Sequence, residues 1–224
     1  LGGGSSPRPG EITLAHRGVL FLDEVVEFHR DVLEGLREPL ENRQITVSRA
    51  GGSSSFPASF ILVAARNPCP CGYAGDPQKH CTCSAFQIIK YQKRISGPLL
   101  DRIDLVVEVP RLKFEKLTEE KVAESSSAVR ARVEAARAIQ KQRFAGTPAA
   151  CNAEMSMMDI KNSCRVSAPT QEILRTAVDK LHLSSRGYHR ALKLARTIAD
   201  MAGSPDIQTP HVAEALQYRP KTEM

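Results

Sequence analysis

Hydrophobic positions in the first half of the chain form two unbroken runs, each followed directly by polar residues. Residues 18–24 read GVLFLDE, and residues 60–67 read FILVAARN. Short apolar runs of this kind are typical of strands buried on both faces. Because parallel strands end at one shared edge, the pattern predicts that Asp23, Glu24 and Asn67 lie together there.

These three polar residues suit the chemistry of phosphoryl transfer. Unpaired carboxylates are costly to bury, so they are expected to emerge at the strand end. Asp23 is placed to hold Mg²⁺, Glu24 to polarise an attacking water, and Asn67 to orient that water, as in a Walker B strand with its neighbouring strand. The alternative interpretation is local: an acidic helix cap at Asp23 or Glu24, and an Asn-Pro turn at Asn67.

Other patterns in the first half predict shorter elements. Residues 44–49 alternate polar and apolar side chains and precede a Gly-Gly pair, which predicts a hairpin completed near residues 55–57. With little apolar surface, this hairpin is expected to project from the body. Further elements are predicted as an edge strand at residues 12–16, a helix at 29–42 bent by Pro39, a helix at 84–95, and a third strand at 105–109.

Beyond Pro110-Arg111 the strand patterns stop, which predicts a domain boundary between residues 1–110 and 111–224. Helical spacing and capping residues then predict a small bundle. Its helices are expected at residues 118–144, 169–181, 184–202 and 209–218. Arg186 and Arg190 fall in the first turns of the third of these helices.

The composition indicates one class of binding partner. The 224 residues carry a net charge of +6 and a pI of about 9.1, which allows a polyanionic partner such as DNA. No apolar run approaches the ~20 residues of a membrane span, and no signal peptide opens the sequence. We therefore expect a cytoplasmic protein. The chain lacks an initiator Met, so we also expect it to be a piece of a longer protein.

Four of the six cysteines cluster within one segment, residues 69–83. Cys69, Cys71, Cys81 and Cys83 form two Cys-x-Cys pairs, and four thiolates can bind one Zn²⁺ tetrahedrally. The more usual spacing is Cys-x-x-Cys. The sequence therefore leaves two interpretations open, a closed structural zinc site and four reduced thiols.

In series, these features resemble one family, the Mg-chelatase-like ComM family of AAA+ ATPases, in the helix-2-insert group. The resemblance covers nearly the whole chain. It is carried by four segments: PGEITLAHRGVLFLDE (9–24), NPCPCG (67–72), RISGPLLDRIDL (94–105) and LSSRGYHRALKLARTIAD (183–200). It implies an α/β fold: part of a AAA+ core, with a parallel sheet and a β-hairpin, followed by a C-terminal helical lid domain.

The resemblance also implies a role for each site residue. Asp23 and Glu24 match Walker B, Asn67 matches sensor 1, and Arg102 matches the arginine finger that reaches a neighbouring subunit's nucleotide. On the lid, Arg186 matches sensor 2, and Arg190 is a further candidate nucleotide contact. ATP and Mg²⁺ are the implied cofactors, and a homo-oligomeric ring, usually a hexamer, is the implied assembly.

The family's phosphate-binding loop is missing from this sequence, which contains no Gly-x-x-x-x-Gly-Lys-Ser/Thr segment. We therefore expect the chain alone neither to bind ATP tightly nor to hydrolyse it. The implied function of the longer protein is ATP-driven DNA branch migration in natural transformation. The alternatives are a Mg-chelatase subunit that drives metal insertion into a porphyrin, and a non-enzymatic zinc-bearing nucleic-acid module.

Overall fold

The structure, a computed structural model, describes most of the chain: residues 2–3, 8–49, 52–112 and 124–219. It divides the chain into two compact units, residues 1–103 and 104–224. The predicted α/β class is confirmed, with a parallel strand pair, a β-hairpin and C-terminal helices. None of the described helices combines the length and the apolar character that a membrane crossing needs.

In the first unit, short elements surround one apolar core. Along the chain they are β1 (Gly2–Gly3), β2 (Arg8–Pro9), α1 (Glu11–Leu14), β3 (Val19–Leu22), α2 (Arg30–Gly35), α3 (Arg37–Asn42), β4 (Gln44–Arg49), β5 (Gly52–Pro57), β6 (Ile61–Ala64), α4 (Ala85–Gln92) and α5 (Gly97–Leu100).

The two apolar runs form the parallel pair β3–β6, in register from Val19 opposite Ile61 onwards. Leu20 and Leu22 pack against the core from one face of β3. On the other face Val19 and Phe21 are more than half exposed. The prediction that both faces of this strand are buried is therefore wrong for the described residues. Since parallel sheets are normally covered on both sides, the second face lacks its cover here.

The predicted hairpin is confirmed, but its predicted projection is wrong. β4 and β5 pair antiparallel from Gln44 opposite Pro57, while the tip at residues 50–51 lies outside the described residues. The alternation along β4 places Ile45 and Val47 on one face, and both are buried in the core of the unit. The hairpin therefore lies on the body of the protein.

Three further predictions are corrected. Residues 12–16 do not form an edge strand, because Ile12 is buried by the single helical turn of α1. The helix expected at 29–42, bent or ended by Pro39, is broken before Pro39 into two helices, since Pro39 has no N–H to donate to the carbonyl of Gly35. Residues 105–109 form no strand; the Val106 N–H donates instead to the Tyr218 carbonyl at 2.8 Å.

In the second unit, the described residues form a bundle of helices, as predicted. They are α6 (Ser126–Arg143), α7 (Met157–Ser163), α8 (Ala168–Lys180), α9 (Ser185–Met201) and α10 (Thr209–Gln217). Ser184 caps α9 by accepting the Gly187 N–H at 3.1 Å. The predicted start of the first helix, at residue 118, lies outside the described residues.

A buried ionic network holds the helical unit together. The Asp200 side chain is fully buried and accepts two hydrogen bonds from Arg143, one from Arg196 at 3.0 Å and one from Asn152 at 2.7 Å. Burial alone would raise the pKa of the Asp200 carboxyl. The hydrogen bonds from Arg143 and Asn152 and the charge of Arg196 outweigh burial and lower that pKa.

We predict that Asp200→Asn lowers the free energy of unfolding by about 3–5 kcal/mol, since it leaves the buried Arg196 and the partly buried Arg143 without their anion. Urea unfolding followed by circular dichroism measures this, with the exposed Asp206→Asn as matched control. Because the folded-state pKa of Asp200 is lowered, its contribution is present above the unfolded pKa of about 3.9 and is lost as pH falls through the folded value. Equal free energies of unfolding for the two variants would contradict a stabilising role for the Asp200 network.

Candidate functional site

Three of the predicted site residues lie at one edge of the parallel pair. Leu22, at the end of β3, lies opposite Ala64, at the end of β6. Asp23 and Glu24 follow the first strand directly, and Asn67 comes three residues after the second ends. All three are exposed. The parallel register thus brings the acid pair and the amide to the same edge of the sheet.

A tight turn holds the two acids at this edge. The Val25 N–H donates to the Ala65 carbonyl at 2.9 Å, and both Val25 and Val26 are buried. Between β3 and Val25, the backbone of Glu24 is left-handed, with φ of 46°. The Glu24 N–H donates to the Asp23 carboxylate at 2.9 Å. A left-handed residue other than glycine is uncommon, and such residues cluster at functional sites.

This edge offers a donor set suited to a hard cation. Two carboxylates and one amide oxygen are the ligand types that Mg²⁺ accepts, and Mg²⁺ keeps several waters of its own when bound by so few protein groups. An exposed position satisfies that need. The residue types present at this edge therefore fit Mg²⁺.

Arg102 is held within its own unit. Its Nη1 donates to the Pro98 carbonyl at 2.6 Å, its Nη2 pairs with Glu41, and the side chain is only 10% exposed. The Nε–H is buried and has no hydrogen-bond partner among the described residues. An arginine finger at this position must therefore leave Glu41 to reach another subunit.

The two arginines predicted for the lid belong to the second unit. Arg186 is exposed in the first turn of α9. Arg190 lies one turn further on and pairs with Asp104 at 3.4 Å, with 22% of its side chain exposed. The structure places both on one helix, near its N-terminus. Their sensor-2 and nucleotide-contact roles stay predictions.

The four clustered cysteines converge in space. Their Sγ atoms all lie within 4.8 Å of one another, and all four are free thiols. Three of the separations are shorter: Cys69 to Cys71 is 3.4 Å, Cys71 to Cys81 is 3.5 Å and Cys69 to Cys81 is 3.7 Å. Cys69 is fully buried, whereas Cys83 is partly exposed.

The thiols of the cluster differ in their pKa values. A backbone hydrogen bond from Tyr73 lowers the pKa of Cys71 to about 5. A backbone hydrogen bond from Cys83 lowers the pKa of Cys81, but burial and the neighbouring thiols outweigh it and raise that pKa to about 12. Burial raises the pKa of Cys83 as well. Such crowded thiols ionise as a set rather than independently.

Two features of these sites escaped the sequence analysis. Glu41, the partner of Arg102, lies 61 residues away along the chain, and no local pattern links the two. The left-handed backbone of Glu24 could not be predicted from the sequence either, because the residues that normally adopt this conformation are Gly and Asn.

The α/β fold and the matches to two family models place the chain in the AAA+ class of α/β proteins. It belongs to the magnesium chelatase family: residues 1–117 match the family model for magnesium chelatase subunit ChlI, and residues 123–219 match that for the ChlI C-terminal region. The family resemblance predicted from the sequence is thereby confirmed.

Two relatives that match nearly the whole of this chain place it within this family. It is 48% identical over 222 residues to the competence protein ComM of Haemophilus influenzae and 44% identical over 221 residues to YifB of Escherichia coli. These matches cover 98% of the chain but only 42% of each relative. The magnesium-chelatase subunit ChlI of Chlorella vulgaris is 40% identical over 60 residues, 27% of this chain and 17% of that protein.

Proposed function

We propose that this chain is part of a AAA+ ATPase motor that remodels DNA, a branch-migration helicase associated with natural transformation. The observation that carries the motor is the shared strand edge, where Asp23, Glu24 and Asn67 are exposed together. The DNA context is supported by the relative named a competence protein, which is 48% identical to this chain. We place this motor in the cytoplasm.

Each residue at the edge has a distinct part in this proposal. The Asp23 carboxylate holds the metal ion, directly or through water. A carboxylate oxygen of Glu24 accepts a proton from the attacking water, and the Asn67 amide orients that water by hydrogen bonding. Held there with ATP, Mg²⁺ would supply positive charge to balance the charge that develops on the transferred phosphoryl group. ATP and Mg²⁺ are thus the proposed cofactors, with a structural Zn²⁺ at the cysteine cluster.

The proposed assembly is a homohexameric ring. Arg102, once released from Glu41, supplies positive charge to the nucleotide of the neighbouring subunit. Arg186 and Arg190 contact the nucleotide from the lid. Functionally, residues 1–110 serve as the C-terminal part of the ATPase core and residues 111–224 as the lid.

The chain is proposed to work only within a longer protein. The relatives ComM and YifB are each more than twice its length, and a phosphate-binding loop is absent from its sequence. We propose that the remainder of the full-length protein supplies this loop and covers the exposed sheet face at Val19 and Phe21. By this proposal the chain alone shows no ATP turnover.

A second candidate is a Mg-chelatase ATPase subunit that drives metal insertion into a porphyrin through a partner protein. The descriptions of both family models favour it. Against it, the match to a chelatase subunit of this name covers 27% of the chain, whereas the match to ComM covers 98%.

DNA binding by the full-length protein separates the two candidates. We expect binding to a branched DNA probe whose affinity falls by roughly 10³-fold between 50 and 200 mM salt, the change expected from about six phosphate contacts. Fluorescence anisotropy at stepped salt concentrations measures this. No binding at 50 mM salt would contradict the helicase and favour the chelatase.

A further inference from the structure

We propose that Cys69, Cys71, Cys81 and Cys83 bind one Zn²⁺ as a closed structural centre, and that this centre fixes the end of β6. The zinc site is independent of the ATPase proposal. Its second part, that the centre positions Asn67, rests on the proposed function.

The sulfur separations match a single tetrahedral ion. With Zn–S bonds of about 2.3 Å, the edges of a tetrahedron of four sulfurs are about 3.8 Å long. The separations here include 3.4, 3.5 and 3.7 Å, and none exceeds 4.8 Å. A disulfide needs about 2.05 Å, which none of these free thiols approaches. A multi-iron cluster would hold the sulfurs further apart, because several atoms lie between them.

The donor set also defines the class of metal. Four sulfur ligands favour a soft or borderline ion and disfavour Mg²⁺ or Ca²⁺. Four protein ligands leave no open position for water or substrate, which is the arrangement of a structural site. The Ala74 N–H donates to the Cys69 sulfur at 3.3 Å, as outer-shell donors do around metal thiolates.

The loop between the two cysteine pairs is braced by its own side chains. The Asp76 carboxylate accepts the N–H groups of Gln78 at 2.7 Å and Lys79 at 3.1 Å. The Lys79 ammonium lies 3.9 Å from the centre of the Tyr73 ring. These contacts order the backbone between the two cysteine pairs.

The centre would tie β6 to the helix that follows. Cys69 lies two residues beyond Asn67, and its side chain is fully buried. At the other end Cys83 directly precedes Ser84, which caps α4. The Gln92 side chain of α4 donates to the Pro68 carbonyl at 3.4 Å. A metal bound here would cross-link both ends of the loop and restrain the backbone that carries Asn67.

Metal analysis of the purified chain tests the site without any nucleotide. We expect one Zn²⁺ per chain by mass spectrometry of total metal, and loss of nearly all of it in Cys69→Ser and in Cys83→Ser. Cys151→Ser is the matched control, because Cys151 is a partly exposed thiol outside the cluster. Cobalt substitution of the wild type should give an absorption spectrum of tetrahedral four-thiolate coordination.

The contradicting results are equally specific. A folded wild-type chain with no bound metal and four rapidly titrating thiols in the cluster would overturn the site, as would iron in place of zinc. If single variants fail to fold, release of zinc by a thiol-modifying mercurial from the wild type provides the measurement. Failure to release one equivalent would also overturn the site.

Positioning of Asn67 has its own readout. On zinc removal we expect faster amide hydrogen exchange in residues 61–69 and a fall in ATP turnover of the full-length protein of roughly ten-fold. Unchanged exchange there would overturn the positioning role while leaving the zinc site standing. A full-length protein that holds zinc but never hydrolyses ATP would instead overturn the proposed function.

Discussion

Replacing Glu24 with Gln in the full-length protein is expected to lower ATP turnover by about 10²–10⁴-fold while nucleotide binding is retained. The amide keeps the shape of the side chain at the exposed strand edge but cannot accept a proton from the attacking water. Steady-state phosphate release measures turnover, and binding of a fluorescent ATP analogue measures affinity. The effect should therefore fall on kcat and leave affinity nearly unchanged.

Glu27→Gln is the matched control for this prediction. Glu27 lies three residues further along the chain and pairs with Arg94 in an exposed contact of 2.8 Å, which is worth at most about 1 kcal/mol. Turnover by this variant should stay close to wild type. Equal turnover losses in the two variants would point to a general charge effect and contradict the role of Glu24.

The second large effect is expected at Arg102. Arg102→Ala in the full-length protein should lower turnover by about 10³–10⁵-fold, the range for loss of an arginine finger. Arg102→Lys should recover little, since one ammonium cannot reproduce the planar guanidinium fork. Phosphate release by assembled protein, with assembly checked by size-exclusion chromatography, measures both variants.

A variant of Glu41 distinguishes a role of Arg102 in its own unit from a role in a neighbouring subunit. If Arg102 acts only by pairing with Glu41 in its own unit, then Glu41→Gln should cost as much turnover as Arg102→Ala. If Arg102 acts in a neighbouring subunit, Glu41→Gln frees the guanidinium and turnover should be kept or raised. Loss of turnover in Glu41→Gln equal to that in Arg102→Ala would contradict the finger.

The strand edge could be predicted because its signals are local. Unbroken apolar runs identify β3 and β6. If the two strands are parallel, the polar residues that follow them lie at the same edge of the sheet. The hairpin register follows from the alternation of Ile45 and Val47. Capping residues such as Ser84 and Ser184 likewise fix where two helices begin.

The errors lie where local patterns fit two structures. One turn of helix at α1 buries Ile12 as well as a strand would, so periodicity over five residues cannot separate them. The apolar residues at 105–109 read as a strand, but a strand forms only where another is available to pair with it. The contacts between Arg102 and Glu41 and between Arg143 and Asp200 join residues 61 and 57 positions apart, and only the tertiary fold reveals them.

The most direct test of the central claim is to mix two inactive full-length variants, Glu24→Gln and Arg102→Ala. A site shared between subunits draws its water-activating acid from one protomer and its guanidinium from the next. Mixed rings therefore contain some interfaces with both groups intact, and we predict ATP turnover well above that of either variant alone. Mixed rings that are shown to co-assemble and yet stay as inactive as the separate variants would contradict the claim.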